Sequence, residues 1–309
     1  MNYVNLYQAI QDYSENTEAL FIANIPTFVQ QAEERIYNSV QIPALRKNVT
    51  GTLTSSNKYL SCPNDYLSTY SMAVIDADGV YSYLLNKDVN FIREAYPQPT
   101  DTGLPKYYAL FGSQYSNPNE LSFILGPTPS GNYGVELHYF YYPVSIVQGA
   151  IALGSITAAG SLYTNGIYAN VPLTGGNGSG ATANITVSGE AVTSVAIENG
   201  GQFYAVGDVL SCSNSYIGGS GSSFAYTVSS VNNASGTSWL GDNYDPVLFY
   251  GAMREAMLFM KGEQDLVGYY ETKYQEALGQ LRRLGDGLER GDAYRDGQLK
   301  IDVSGKGRA

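Results

Sequence analysis

His138 is the only histidine in the chain, so imidazole chemistry near neutral pH has one candidate. No serine or cysteine nucleophile stands near it, and it falls inside the strand-like run Tyr133 to Tyr142. It reads as a strand residue with satisfied hydrogen bonds. Glycoside hydrolysis needs two carboxylates facing one cleft. The glycine-rich stretch 150–235 offers Glu190, Glu198 and Asp208, none in a recognisable motif. Gly175-Gly176-Asn177-Gly178-Ser179-Gly180 has the glycine count of a phosphate-cradling loop but lacks the Lys-Ser/Thr ending. Asp76, Asp78 and Gly79 begin like a calcium loop, yet the later acidic ligands are missing and a tight turn explains them better. The residues predict no catalytic set, no metal site and no cofactor. The chain reads as a non-enzyme.

Composition points the same way. A formal net charge of −11 and a pI of about 4.5 argue against a surface that grips phosphate backbones broadly. The 28 tyrosines and 34 glycines, with Trp239 alone of its kind, suit a β-rich chain that meets other proteins. Cys62 and Cys212 lie in segments of different character and read as free thiols of a protein assembled in a reducing cytoplasm. No apolar run is long enough to span a membrane, and the polar start MNYVNLYQ is not a signal peptide.

The strongest structural signal lies near the C-terminus. Asp245-Pro246 starts a helix, Leu248, Ala252, Ala256 and Phe259 carry its apolar stripe, and Gly262 breaks it. A second helix puts Leu266, Tyr270, Tyr274, Leu278, Leu281 and Leu284 on one face. Together they predict an antiparallel helical hairpin with more apolar surface than two helices bury on each other. At the other end, Asn5 to Tyr13 is helical in spacing, and Ile25-Pro26 restarts a helix to about Asn38. In that helix Phe28, Ala32, Ile36 and Tyr37 share one face, while Gln30, Glu33, Glu34 and Arg35 point away. The expected fold is α+β: a helical bundle from both chain ends (1–42 and 238–285), a small antiparallel β domain (43–149) and an inserted all-β domain (150–235). An extended tail follows at 286–309.

In 43–149, Asn48 to Thr54 and Lys58 to Cys62 read as a hairpin, and Ser71 to Asp76 pairs with Val80 to Leu84 across Asp78-Gly79. Asn86 to Tyr96 reads as a short helix stopped by Pro97. From about Gly149 the composition changes: residues 150–235 contain no Lys, Arg or His. The segment is duplicated, since Gly160, Tyr163, Gly166, Gly178 and Gly180 recur roughly 41 residues later as Gly201, Tyr204, Gly207, Gly219 and Gly221. Two matching β units packed as one domain are expected rather than a linker, because Val192, Val195 and Ile197 alternate. Tyr163, Tyr168, Phe203 and Tyr204 are the stacking candidates if the segment binds carbohydrate.

Several stretches, in order, resemble short-tailed phage head-to-tail adaptors, also called gatekeepers or tail tubular protein A-like proteins. They are the N-terminal helices, Gly103-Leu104-Pro105-Lys106-Tyr107-Tyr108-Ala109, Leu125-Gly126-Pro127-Thr128-Pro129, Val135 to Pro143, Trp239-Leu240, and Asp245 to Ala252 with Tyr269 to Leu281. In that family the Tyr-Pro strand end leads shortly to the Trp-Leu stretch; here residues 151–234 interrupt it. The resemblance implies a structural virion protein of the neck. It would form a twelve-copy ring between portal and tail nozzle, assembled in the host cytoplasm, with double-stranded DNA passing through unread. DNA carries about one charge per 1.7 Å, so an acidic channel would keep it from sticking, within a screening length of about 8 Å. Portal-contact candidates are Arg290, Arg295, Leu299 and Ile301, the two arginines because a guanidinium fork pairs two carboxylate oxygens. Oligomer or helix-packing candidates are Tyr270, Tyr274, Leu278, Leu281 and Leu284. The insert is expected on the ring's outside, where capsid, fibre or nozzle would be what it touches. The competing reading is a carbohydrate-binding virion or tail protein acting through 150–235.

Overall fold

The computed structural model describes the backbone of residues 1–114 and 117–305, and the side chains of residues 1–113 and 120–285. Two units result: Met1–Val40 with Val144–Ala309, and Gln41–Pro143.

Helix α1 (Tyr3–Ser14) starts where Asn2 Oδ1 accepts from the Asn5 N–H, and Tyr3, Leu6 and Ile10 form its buried face. Helix α2 spans Ala19–Ser39, so Pro26 lies inside it rather than at its start. An interior proline costs about 3 kcal/mol. Phe21 and Ile25 before it and Phe28 and Val29 after it are all buried, and that burial offsets the cost. Glu33 is also corrected: it is buried, not on the solvent side.

Residues 41–143 build two four-stranded sheets. The strands are β1 (Arg46–Thr52), β2 (Tyr59–Ser61), β3 (Tyr66–Ile75), β4 (Tyr81–Tyr83) and β5 (Leu85–Asn86), then helix α3 (Val89–Ala95). After it come β6 (Thr102–Gly103), β7 (Tyr107–Gln114), β8 (Asn117–Gly126), β9 (Thr128–Pro129) and β10 (Gly134–Tyr141). One sheet has the order β1-β10-β3-β4, antiparallel throughout; the other has the order β2-β8-β7-β5. Met72, Val74 and Leu137 of the first share a core with Tyr108, Phe123 and Leu125 of the second. The expected hairpin of Asn48–Thr54 with Lys58–Cys62 does not form: β1 pairs with β10 and β2 with β8. Leu53 enters the core and its N–H bonds to the Tyr133 carbonyl, so the chain there crosses from one sheet to the other. The Asp78-Gly79 turn does form. Asp76 Oδ1 accepts from Asp78 and Val80 N–H, and Gly79 takes φ +80°. His138 sits in β10, 3.2 Å from Glu136 Oε1.

The 150–235 segment holds β11 (Ala150–Ser161), β12 (Gly166–Pro172), β13 (Thr174–Gly175), β14 (Thr182–Ser188) and β15 (Ala191–Asn199). It continues with β16 (Val209–Ser211), helix α4 (Asn214–Ile217) and β17 (Ser222–Asn232). Its sheets are β11-β17-β16-β13 and β12-β14-β15. The repeat equates β11 with β15, β12 with β16 and β14 with β17. The two repeats therefore exchange first strands: β11 pairs with β17, and β15 pairs with β14. Matched positions share the left-handed conformation, at Leu162 and Phe203 (φ 62° and 61°) and at Gly160 and Gly201 (φ 67° and 64°). The tyrosines cross as well. A Cβ on Gly221 would lie 2.1 Å from the Tyr163 ring, and one on Gly178 would lie 2.4 Å from the Tyr204 ring. Each repeat supplies the glycine that admits the other's tyrosine.

Helices α5 (Trp239–Asn243), α6 (Asp245–Phe259) and α7 (Gln264–Gly305) close the chain. The α6–α7 connection ends α6 by two backbone bonds, Gly262 N–H to Met257 O and Lys261 N–H to Leu258 O. The left-handed residue is Lys261 (φ 53°), one before the expected glycine. Lys261→Gly should raise stability by about 0.5–1 kcal/mol, the left-handed cost less glycine's extra entropy, read as a higher Tm. Helix α7 continues to Gly305, so the tail expected to be extended from 286 is helical. A nucleated helix propagates cheaply, and Leu288, Glu289 and Arg290 are good helix formers between the glycines.

Candidate assembly surfaces

Helices α2, α6 and α7 meet where a Cβ on Gly251 would touch Ala32 at 3.0 Å and the Tyr274 ring at 3.3 Å. Charges clamp the same three helices. Arg35 lies 3.0 Å from Glu255, Arg254 lies 2.8 Å from Glu255, and Arg254 also pairs with Glu271. Burial pushes the Glu271 carboxyl up, but the Gln275 hydrogen bond and Arg254 charge bring it below its ordinary value overall.

Of the five packing candidates, Tyr270, Tyr274, Leu278 and Leu281 are buried within the chain itself, and Leu284 is 40 % exposed. Burial pushes the Tyr274 phenol up to about 12, and among the described residues its hydroxyl has no hydrogen-bond partner. The apolar stripe of α7 is thus largely covered by this chain, and by itself demands no second protein. The side chains of Arg290, Arg295, Leu299 and Ile301 lie outside the described residues.

One group of uncovered apolar side chains lies around the Lys261-Gly262 turn. Leu258 and Phe259 end α6, Leu266 and Tyr269 begin α7, and all four are exposed. Phe259 packs against Phe21 and Phe28 at 6.3 and 5.2 Å, which brings in the first turn of α2, where Leu20 is 68 % exposed. Sequence periodicity placed Phe259 and Leu266 in stripes but could not show that the stripes run past their cover. Such a face is the usual mark of a protein–protein contact.

The carbohydrate candidates are occupied internally. Tyr163 and Tyr204 are each 4 % exposed, in the core of the segment. Phe203 packs on Tyr3 and Tyr7 of α1 at 5.4 and 5.3 Å, beside the Tyr3 hydroxyl bond to Gln202 Oε1. Tyr168 donates to Thr164 O. Asp208 accepts from Asn177 N, Asn177 Nδ2 and Ala205 N, closing the Gly175–Gly180 loop as a structural turn. Among the described residues no group of three His, Cys, Asp or Glu side chains is placed to hold a metal, and no helix is long and apolar enough to cross a membrane.

No curated protein matches the chain. A model of the family described as SU10 adaptor protein matches residues 1–171, more than half of the sequence. That span holds α1, α2, all three sheets of 41–143 (the two four-stranded ones and the β6-β9 pair), β11 and most of β12. The chain belongs to the SU10 adaptor protein family.

Proposed function

We propose that this phage adaptor is the head-to-tail ring of its virion, twelve copies seated between portal and tail nozzle, with DNA passing through the centre. Membership of the adaptor family carries the reading. The exposed apolar end of the helical layer supports it, because a chain that folds alone with Leu258, Phe259, Leu266 and Tyr269 uncovered has a surface left to bury. The bundle from both chain ends forms the ring's body, the 150–235 segment faces outward, and the α7 extension reaches the portal. The net charge of −11 lets DNA slide without adhering.

Particle mass of the purified full chain tests this directly. The double variant Leu266→Lys with Tyr269→Lys should keep the helical circular dichroism, since both residues are exposed, and lose the ring. A ring of unchanged mass would move the assembly contact elsewhere. A wild-type chain that stays monomeric at every concentration would overturn the reading.

A further inference from the structure

Among the described residues, the sheet β1-β10-β3-β4 ends in two strands whose outer edges carry no neighbouring strand. Proteins protect such edges with charges, prolines, bulges or a covering element, because free N–H and C=O groups recruit another strand. Strand β1 carries none of these beyond Arg46 and Lys47 at its start, and β4 only its shortness of three residues, which is a further such device. Strand β1 is seven residues long, exposed along nearly its whole length, and contains no proline. Its two charges are drawn back onto the sheet. Lys47 Nζ lies 2.5 Å from Asp65 and 4.0 Å from the Tyr141 ring, and the Arg46 guanidinium lies 3.9 Å over Tyr70. From Asn48 to Thr52 nothing charged guards the edge. Strand β4 reads Tyr-Ser-Tyr, again without charge or proline, and Val80, Tyr81, Tyr83 and Leu85 around it are all exposed.

The geometry points to a head-to-tail pairing in which β4 of one copy adds antiparallel to β1 of the next, making one continuous sheet through the oligomer. The occupant is a second copy, because each edge is the complement the other needs. Successive strands alternate in direction from β1 to β4, so β4 beside a neighbour's β1 continues the antiparallel order. The side-chain rows agree too: Thr50, Glu136, Ala73 and Tyr83 stand directly opposite one another, which puts Thr50 and Tyr83 on the same face. Two different edges that pair heterologously form an open fibre unless rotation closes them into a ring. This inference rests on the ring reading above and names the contact that closes it.

Cysteines placed on the shared face test it in the full chain. Thr50→Cys or Thr52→Cys combined with Tyr81→Cys or Tyr83→Cys, oxidised after assembly, should give covalent ladders extending beyond dimers. Single-cysteine variants should not, since native Cys62 and Cys212 are both buried. Amide exchange in β1 and β4 should also slow on assembly of the wild-type chain. Particles of ring mass that give no ladder with any of the four pairs, and no slowing in either strand, would overturn the edge contact while leaving the ring standing. A chain that forms no ring at all overturns both.

Discussion

Removing residues 191–232 should unfold what remains of the segment they belong to, not leave one intact repeat behind. The deletion takes β15 from β14, β17 from β11 and β16 from β13, so the pairing of β12 with β14 is all that remains of both sheets. It also removes Gly221, whose missing side chain makes room for the Tyr163 ring, and Phe224, whose N–H bonds to the Tyr163 hydroxyl. The remaining repeat keeps Val171, Ala183, Ile185 and Val187 but loses the layer that buries them, at about 25 cal/mol per Å² of apolar surface returned to water. The expected readouts are lost β-sheet circular dichroism and rapid proteolysis between residues 150 and 190. Replacing all of 150–235 by a short loop is a different experiment. Ala150 and Asn232 are direct cross-strand partners, so the chain ends to be joined already lie side by side. That variant should fold, losing the contacts of Tyr3 and Tyr7 with Phe203 and the Tyr3–Gln202 hydrogen bond. Slow amide exchange persisting in β14 after the half deletion would show that strand exchange does not hold the segment together.

The contrast between those deletions marks what sequence carries and what it does not. A repeat of roughly 41 residues is written in glycines and tyrosines, but side-by-side and exchanged units satisfy the same spacing. Only backbone pairing separates them. The same limit applies to β1 and β2: alternation located both strands, while their partners depend on Leu53 entering the core. Local signals fared better where chemistry is local, as at Asp78-Gly79, where Asp76 Oδ1 accepts from the Asp78 and Val80 N–H groups. The exposed apolar face around Leu258 and Leu266 was half legible. Phe259 and Leu266 stood in the stripes, Leu258 and Tyr269 did not, and exposure is set by how far α2 covers them. Pro26 and Glu33 were misread for one reason: tertiary burial outweighed a local preference.

Glu33 has the most testable consequence. Its Oε1 accepts the Ile146 N–H at 2.9 Å, fastening α2 to the stretch that leads into β11, while Oε2 is buried with no hydrogen-bond partner among the described residues. Burial raises its carboxyl to about 7, despite hydrogen bonds from Ser145 and Ile146 that act the other way. The ordinary value is 4.5, so between these two pH values the folded chain binds a proton that the unfolded chain has released. Stability from this group is therefore complete below pH 4.5 and falls as pH rises, by about 3 kcal/mol once both states are ionised. Asp65, Glu136 and Glu271 slope the opposite way. Asp65 is raised by burial but taken lower overall by hydrogen bonds from Lys47 and Tyr139. The difference between wild type and Glu33→Gln isolates the one group. The glutamine keeps an acceptor for Ile146 and cannot ionise. Urea midpoints of the two proteins should nearly coincide at pH 4.5 and separate in favour of the variant up to pH 8, by as much as about 3 kcal/mol. A difference that stays constant across that range would mean Glu33 is ionised in the folded chain at all of these pH values, with its charge met by a partner.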